Sequence, residues 1–310
     1  MSTRVTLGRT ELKVSPVCYG AWQLSPKFWG PQPEDTVAAA MRKAVEVGVN
    51  FFDNADAYGE GHAESVMGRA LKGLPRKDLV IDTKVFWHWY DDGHRHGDLS
   101  RDYILRACEA SLKRLQLEYI DLYQCHSWDP LTDPAETAGA LKDLQRQGKI
   151  RHFGVSNWSV EQLRLGRKHA EYATLQPFYS LLKRGIETDL LPYCQHENMG
   201  VLVYSPLHNG LLSGKYTGTE TFDDFRKNHG DFQGERFQKI CARVAQLKEI
   251  ASGYHLSTVQ LVLATTIQHP GIHCAIAGIK TAEQIAEAAG AMGKQLSMDD
   301  WNKVRGLLNV

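Results

Sequence analysis

Residues 79–125 read LVIDTKVFWHWYDDGHRHGDLSRDYILRACEASLKRLQLEYIDLYQC. The stretch opens on a short apolar-rich run at 79–85 and closes on another at 120–125. Between them Ile104, Cys108, Ser111, Leu112 and Leu115 recur at the spacing of one helical face. Ser100, just before Arg101 and Asp102, reads as that helix's N-cap. Short runs with little polar alternation suit parallel strands buried on both faces. A strand, a one-faced helix and a second such strand form a βαβ unit.

The same alternation extends in both directions. Further apolar runs lie at 17–21, 50–53, 152–155, 173–176, 201–204 and 273–277, which makes about eight. Val37, Met41, Ala44 and Val45 share one helical face after the first run, and Ser159 reads as a cap after the fifth. An open doubly wound sheet that binds dinucleotides usually carries a G-x-G-x-x-G turn, and none follows any run here. Eight units with no linker and no short internal repeat predict one closed (β/α)8 TIM barrel, an α/β domain spanning residues 1–310. Three segments stand outside the pattern. Residues 5–14 read as an N-terminal β-hairpin around Gly8-Arg9-Thr10, placed as a lid on the barrel floor. Residues 217–235 form a long polar loop, and such loops are often functional or mobile. Residues 298–308, capped by Ser297, read as a C-terminal helix.

Composition narrows the class. Hydrophobic residues make up 43% and charged residues 23%, as in ordinary globular proteins. Lys and Arg number 36 and Asp and Glu 36, so no basic excess points to nucleic acid. The closest two of the six cysteines, Cys108 and Cys125, are too far apart for a C-x-x-C pair, and reduced, buried thiols are expected. The first 14 residues lack the apolar core of a signal peptide, and no apolar run approaches the ~20 residues of a membrane span. A cytoplasmic protein is expected. Nothing in the sequence indicates an oligomeric state.

In such a barrel the chemistry gathers where strands end. Asp53 ends the second run and Tyr58 follows it. Lys84 lies near the end of the third, and His126 closes the fourth. Ser156-Asn157, Gln176, Tyr204, Gly278 and Lys280 lie at or just after the ends of runs five to eight. A tyrosine is a poor proton donor unless a nearby ammonium lowers its pKa, and a buried lysine needs a carboxylate. Asp53, Lys84 and Tyr58 supply those three groups. His126 adds a hydrogen bond that orients a substrate oxygen. Together they suggest proton delivery to an oxygen that becomes an alcohol.

At these positions the chain resembles the aldo-keto reductase family. The resemblance rests on DNADAYGEGHAE at 53–64, Thr83-Lys84, DLYQCH at 121–126, GVSN at 154–157, YSPL at 204–207 and GIKTAEQ at 278–284, in that order and spacing. It implies Tyr58 as general acid, Lys84 and Asp53 as its support, and His126 polarising the carbonyl. It implies NADPH as cofactor. Ser156, Asn157 and Gln176 would hold the nicotinamide carboxamide, and Tyr204 would stack on its ring. Ser205, Leu207 and Lys215 would lie along the pyrophosphate. Gly278, Lys280, Gln284 and Glu287 would lie at the adenosine end. The chain departs from the family at HSWD (126–129), where H-W-P or H-x-P is usual. It also departs at Ala288, often Asn, and at Lys280, often Arg.

Trp22, Trp29, Phe86, Trp87, Trp89, Tyr90 and Trp128 follow strand ends, and Trp22, Trp87 and Trp128 are expected to line an apolar substrate pocket. Asp91, Asp92, His94, His96 and Asp98 read as a solvated loop rather than a metal site, because they lack a rigid helical spacing. Residues 210–216, GLLSGKY, are one residue short between glycines for a P-loop and end in Tyr216 where Ser or Thr is required. The leading expectation is an NADPH-dependent reductase of small-molecule aldehydes or ketones. The alternatives are an NAD(P)-dependent sugar or polyol dehydrogenase, and a cofactor-sensing regulatory subunit like the family's potassium-channel β subunits.

Overall fold

A computed structural model describes residues 4–89 and 94–310. Its strands are β1 (Val5–Thr6), β2 (Lys13–Val14), β3 (Val17–Gly20), β4 (Phe51–Asp53), β5 (Val80–Val85), β6 (Trp87–Trp89), β7 (Arg95–Gly97), β8 (Ile120–Cys125), β9 (Ile150–Ser156), β10 (Thr174–Gln176), β11 (Gly200–Tyr204) and β12 (Cys274–Gly278). Eight of these, β3, β4, β5, β8, β9, β10, β11 and β12, pair in that cyclic order as a closed parallel barrel. The seam closes where β12 pairs with β3, in the register Ala275↔Val17 to Gly278↔Gly20. The eight apolar runs of the sequence are these eight strands, and helices connect most of them.

Period-two alternation sorts each strand's side chains between two layers. Tyr19, Phe52, Ile81, Tyr123, Leu175, Val201 and Ala275 face outward and join the large core under the helices. Cys18, Phe51, Val80, Leu122, Leu202 and Cys274 fill the lower barrel interior with Leu7, Leu12 and Val14. Those last three come from the β1–β2 hairpin, paired Val5↔Val14, so the hairpin seals the floor as expected. Above this apolar plug the inward positions turn polar, and that change makes the site.

The helix ends bear out Ser159, whose hydroxyl accepts from the Gln162 backbone in a capping box, and Ser297, which accepts from Asp300. Ser100 does not cap with its side chain. Asp98 Oδ1 accepts from the Ser100 N–H at 2.8 Å, and Glu136 accepts from the Arg101 N–H, so neighbouring carboxylates satisfy that helix start instead. The long polar segment after β11 is more ordered than its composition suggests. It contains 3₁₀ turns at Phe225–Asn228 and Gly230–Phe232, and Phe222 and Phe232 pack edge-on to Tyr216. All six cysteines are buried and unpaired. Among the described residues no helix is long and apolar enough to cross a membrane.

Candidate active site

The polar layer is built from the upper inward positions of β4, β5, β8, β9 and β10. Lys84 Nζ lies 2.6 Å from Asp53 Oδ1, 2.6 Å from the Asn54 carbonyl and 3.4 Å from the Tyr58 hydroxyl. Gln176 Nε2 donates to the same Asp53 oxygen at 2.8 Å. Gly154 belongs to this layer because a Cβ there would meet Thr174 Oγ1 at 1.9 Å. Sequence reading missed Asp82. Two residues before Lys84 on one strand, it shares the inward face, and its Oδ2 accepts from Gln124 at 2.7 Å and from Gln176 at 3.2 Å. The period of two was the available signal; the apolar run around it hid the second carboxylate.

One ammonium therefore faces two carboxylates with almost no water. Burial pushes the Asp82 carboxyl well above the usual range against the pull of Lys84, and the Asp53 charge adds to that rise. Burial works against the Lys84 charge, but Asp53 and its neighbours outweigh it and hold the ammonium charged. For Tyr58 the balance differs from the sequence expectation. Burial raises its pKa, Lys84 opposes this, and the net shift is upward. The phenol thus keeps its proton at neutral pH. His126 is pushed down to about 3, first by burial and then by the Lys84 charge, so its imidazole is neutral. Its ring stands edge-on to Tyr58, with centroids 5.9 Å apart at 81°.

A cavity of about 920 Å³ opens over this layer. Such a volume is near the upper end for small-molecule sites. Asp53, Tyr58 and His126 line it, together with every residue expected to hold a cofactor, from Ser156 to Glu287. Lys84 lies beneath, fully buried. At the deep end the Asn157 amide donates to Ser156 Oγ and accepts from the Tyr204 hydroxyl at 2.9 Å. At the far end Lys215, Arg226 and Lys280 converge closely enough that Arg226 and Lys215 each oppose the Lys280 charge. Folding brings Arg226 beside Lys280 from the long loop after β11. Gln284 Oε1 accepts from the Lys280 backbone N–H at 2.8 Å. Amide and hydroxyl groups at one end and three cations at the other fit a nicotinamide dinucleotide, whose head is a carboxamide and whose remainder is anionic.

The aromatic wall differs in part from expectation. Trp22 and Trp87 line the cavity, with Phe28, Trp29 and Arg95, but Trp128 does not. Its ring packs against Trp158 at 4.7 Å, edge to face, on the core side of its loop. Phe86 is also core, packed where a Cβ on Gly97 would strike its ring at 2.2 Å. Tyr90, Asp91 and Asp92 lie outside the described residues.

A family model described as Aldo/keto reductase family matches residues 16–309. The chain is 36% identical to aldo-keto reductase YhdN of Bacillus subtilis over 98% of its length and 92% of that protein's. It is 32% identical to the NADH-specific methylglyoxal reductase of Escherichia coli over 97% of both. Among solved structures it superposes on the glycerol dehydrogenase AKR11B4 of Gluconobacter oxydans with TM-score 0.91 and 32% identity, over 99% of this chain and 95% of that one. A Klebsiella pneumoniae aldo/keto reductase in complex with NADP and acetate gives TM-score 0.79 and 30% identity, over 99% and 96%. With its closed barrel, this chain belongs to the aldo-keto reductase family, and aldo-keto reductases are oxidoreductases that use nicotinamide cofactors.

Proposed function

We propose that the protein reduces small aldehydes or ketones to alcohols with NADPH, with Tyr58 as the proton donor. The observation that carries this is Tyr58 itself. Its hydroxyl lies on the cavity 3.4 Å from the Lys84 ammonium, and burial keeps it protonated. A bound nicotinamide supplies the hydride in this family's chemistry. Tyr58 gives its proton to the carbonyl oxygen as that oxygen gains charge, and Lys84 stabilises the phenolate left behind. Asp53 and the Asn54 carbonyl fix the ammonium under the phenol. Neutral His126 donates a hydrogen bond to the same oxygen. Ser156, Asn157 and Gln176 would hold the carboxamide, Tyr204 the ring, Ser205, Leu207 and Lys215 the pyrophosphate, and Gly278, Lys280, Gln284 and Glu287 the adenosine. Arg226 beside Lys280 supports a 2′-phosphate and hence NADPH over NADH.

The test is Tyr58→Phe. Turnover should fall by about 10²–10⁴-fold, the usual worth of general acid catalysis, while NADPH quenches protein fluorescence with nearly unchanged affinity. Retention of most turnover rejects the assignment. Oxidation of a polyol is the second reading, favoured by the likeness to the glycerol dehydrogenase. Rates with glycerol and NAD(P) against aldehydes and NADPH separate the two.

A further inference from the structure

β6 and β7 form an antiparallel ribbon on the rim of the cavity, and its register sets His88 directly across from His96. The next pair is Trp89↔Arg95, so alternation puts the imidazoles on one face and Trp87, Trp89 and Arg95 on the other. The Arg95 guanidinium covers Trp87 at 4.3 Å and Trp89 at 5.1 Å, and Trp87 and Arg95 line the cavity wall. Asp98 follows the ribbon on the imidazole side. Its Oδ1 is taken by the Ser100 N–H, and its Oδ2 lies 3.0 Å from His88 Nδ1 and 3.9 Å from His96 Nε2. The His88 ring stacks on Tyr103 at 4.5 Å and 15°, and the Tyr103 hydroxyl donates to the Trp87 carbonyl. The sequence expectation of a solvated loop rests on the lack of a helical spacing and leaves out His88, which strand pairing brings to His96.

One ligand atom from each of His88, His96 and Asp98 falls within 4.8 Å of the others. Around a tetrahedral zinc with bonds of ~2.0–2.2 Å, adjacent ligand atoms stand about 3.4 Å apart. The separations of 3.0 and 3.9 Å bracket that value. His88 Nδ1 and His96 Nε2 thus both face the same carboxylate oxygen, Asp98 Oδ2. Two imidazoles 5.1 Å apart, centroid to centroid, and a carboxylate facing one point make a donor set that suits a shared cation. Nitrogen-rich donors favour zinc, cobalt, nickel or copper over calcium or magnesium.

The geometry points to a divalent transition-metal site made by His88, His96 and Asp98, with water completing the coordination, which staples the hairpin that carries Trp87 and Arg95 into the cavity wall. Binding is independent of the reaction assigned to the cavity. The effect on substrate rests on that reading: the metal changes KM for bulky carbonyls and leaves kcat, set at Tyr58, unchanged.

The experiment is titration of untagged, metal-stripped protein with Co(II), followed by visible absorption and calorimetry, with Zn(II) as competitor. One equivalent should bind, with the d–d bands of nitrogen and oxygen ligation. His88→Gln and His96→Gln should each weaken binding at least about tenfold, since even outer-shell partners of metal ligands are worth that much. His229→Gln is the control. It belongs to a second cluster with His208 and Asp231, where Asp231 is already held by Arg236. In the wild type, Zn(II) should also slow amide exchange in β6 and β7, a readout that needs no variant to fold. No saturable binding, variants that titrate like the wild type, or exchange unmoved by zinc would each overturn the site. Failure of the carbonyl reductase assay alone bears on the reading of the cavity and not on the metal.

Discussion

Lys84 lies in a dry layer with Asp53 and Asp82 at its sides, and the charge balance there sets two outcomes. Lys84→Met should unfold more easily by about 3–5 kcal/mol, because Asp53 is left as an unpaired buried charge. Urea denaturation measures this, and turnover should fall as in Tyr58→Phe. Asp82→Asn should do the reverse. The folded state keeps Asp82 protonated at a pH where the unfolded carboxyl, with a pKa of about 3.9, has ionised. Folded protein therefore binds the extra proton, and the contribution of Asp82 to stability declines as pH rises above about 4. The amide removes that cost. The variant should be more stable than wild type at pH 7, and the gap should close towards pH 4. A gap that is constant with pH would show Asp82 ionised in the fold. Asp53, Lys84, Tyr58 and His126 could be picked out because each sits at or shortly after a strand end and within a recognisable fragment. Asp82 could not, because motif and apolar run both pass over it.

Among the elements, the segment after β11 carries most of what sequence left open. Its fold depends on rings from distant parts of the chain. Phe225 meets Trp29 at 5.1 Å and Trp22 at 5.7 Å, two rings that follow β3, two strands along the barrel from β11. His208, one turn after Tyr204, holds the segment through Asp231 at 2.9 Å, with Ser180 on its other nitrogen at 3.0 Å. Arg226, tied to Asp224 and the Tyr216 hydroxyl, is thereby set beside Lys280. Arg226→Ala should raise the NADPH dissociation constant by about 10–100-fold, the loss of one charge-assisted contact of ~1.5–3 kcal/mol, and change NADH much less. Fluorescence titration with both cofactors decides it. Equal weakening would place Arg226 on the pyrophosphate both share. A cation 54 residues before Lys280 offers no local pattern that links the two. The same limit applies to Trp128: position after a strand end predicts the rim, but a neighbouring Trp158 decides which way the ring turns.

For the whole molecule, the sequence yielded strand number, closure and the hairpin floor. Parallel strands buried on both faces leave runs too apolar to mistake, and eight of them without a linker have few other ways to pack. Depth within the barrel was the part that stayed hidden, and the cysteines now mark it. Cys18 and Cys274 lie in the interior plug beneath the polar layer, capped by Leu7 and Leu12 of the hairpin, while Cys241 lies on the outer helix Gly234–Gly253. Alkylation needs both access and the thiolate, and burial raises the pKa of Cys18 and Cys241 alike. The thiols thus act as six internal clocks, each started by the opening of its own shell. Under mild urea a maleimide should mark Cys241 first, as the outer helix lifts, and Cys18 and Cys274 last and together, once the floor gives way. Peptide mass spectrometry gives the order. Simultaneous marking of all six would mean that this barrel opens only as one unit, and early marking of Cys18 that the hairpin leaves before the helices do.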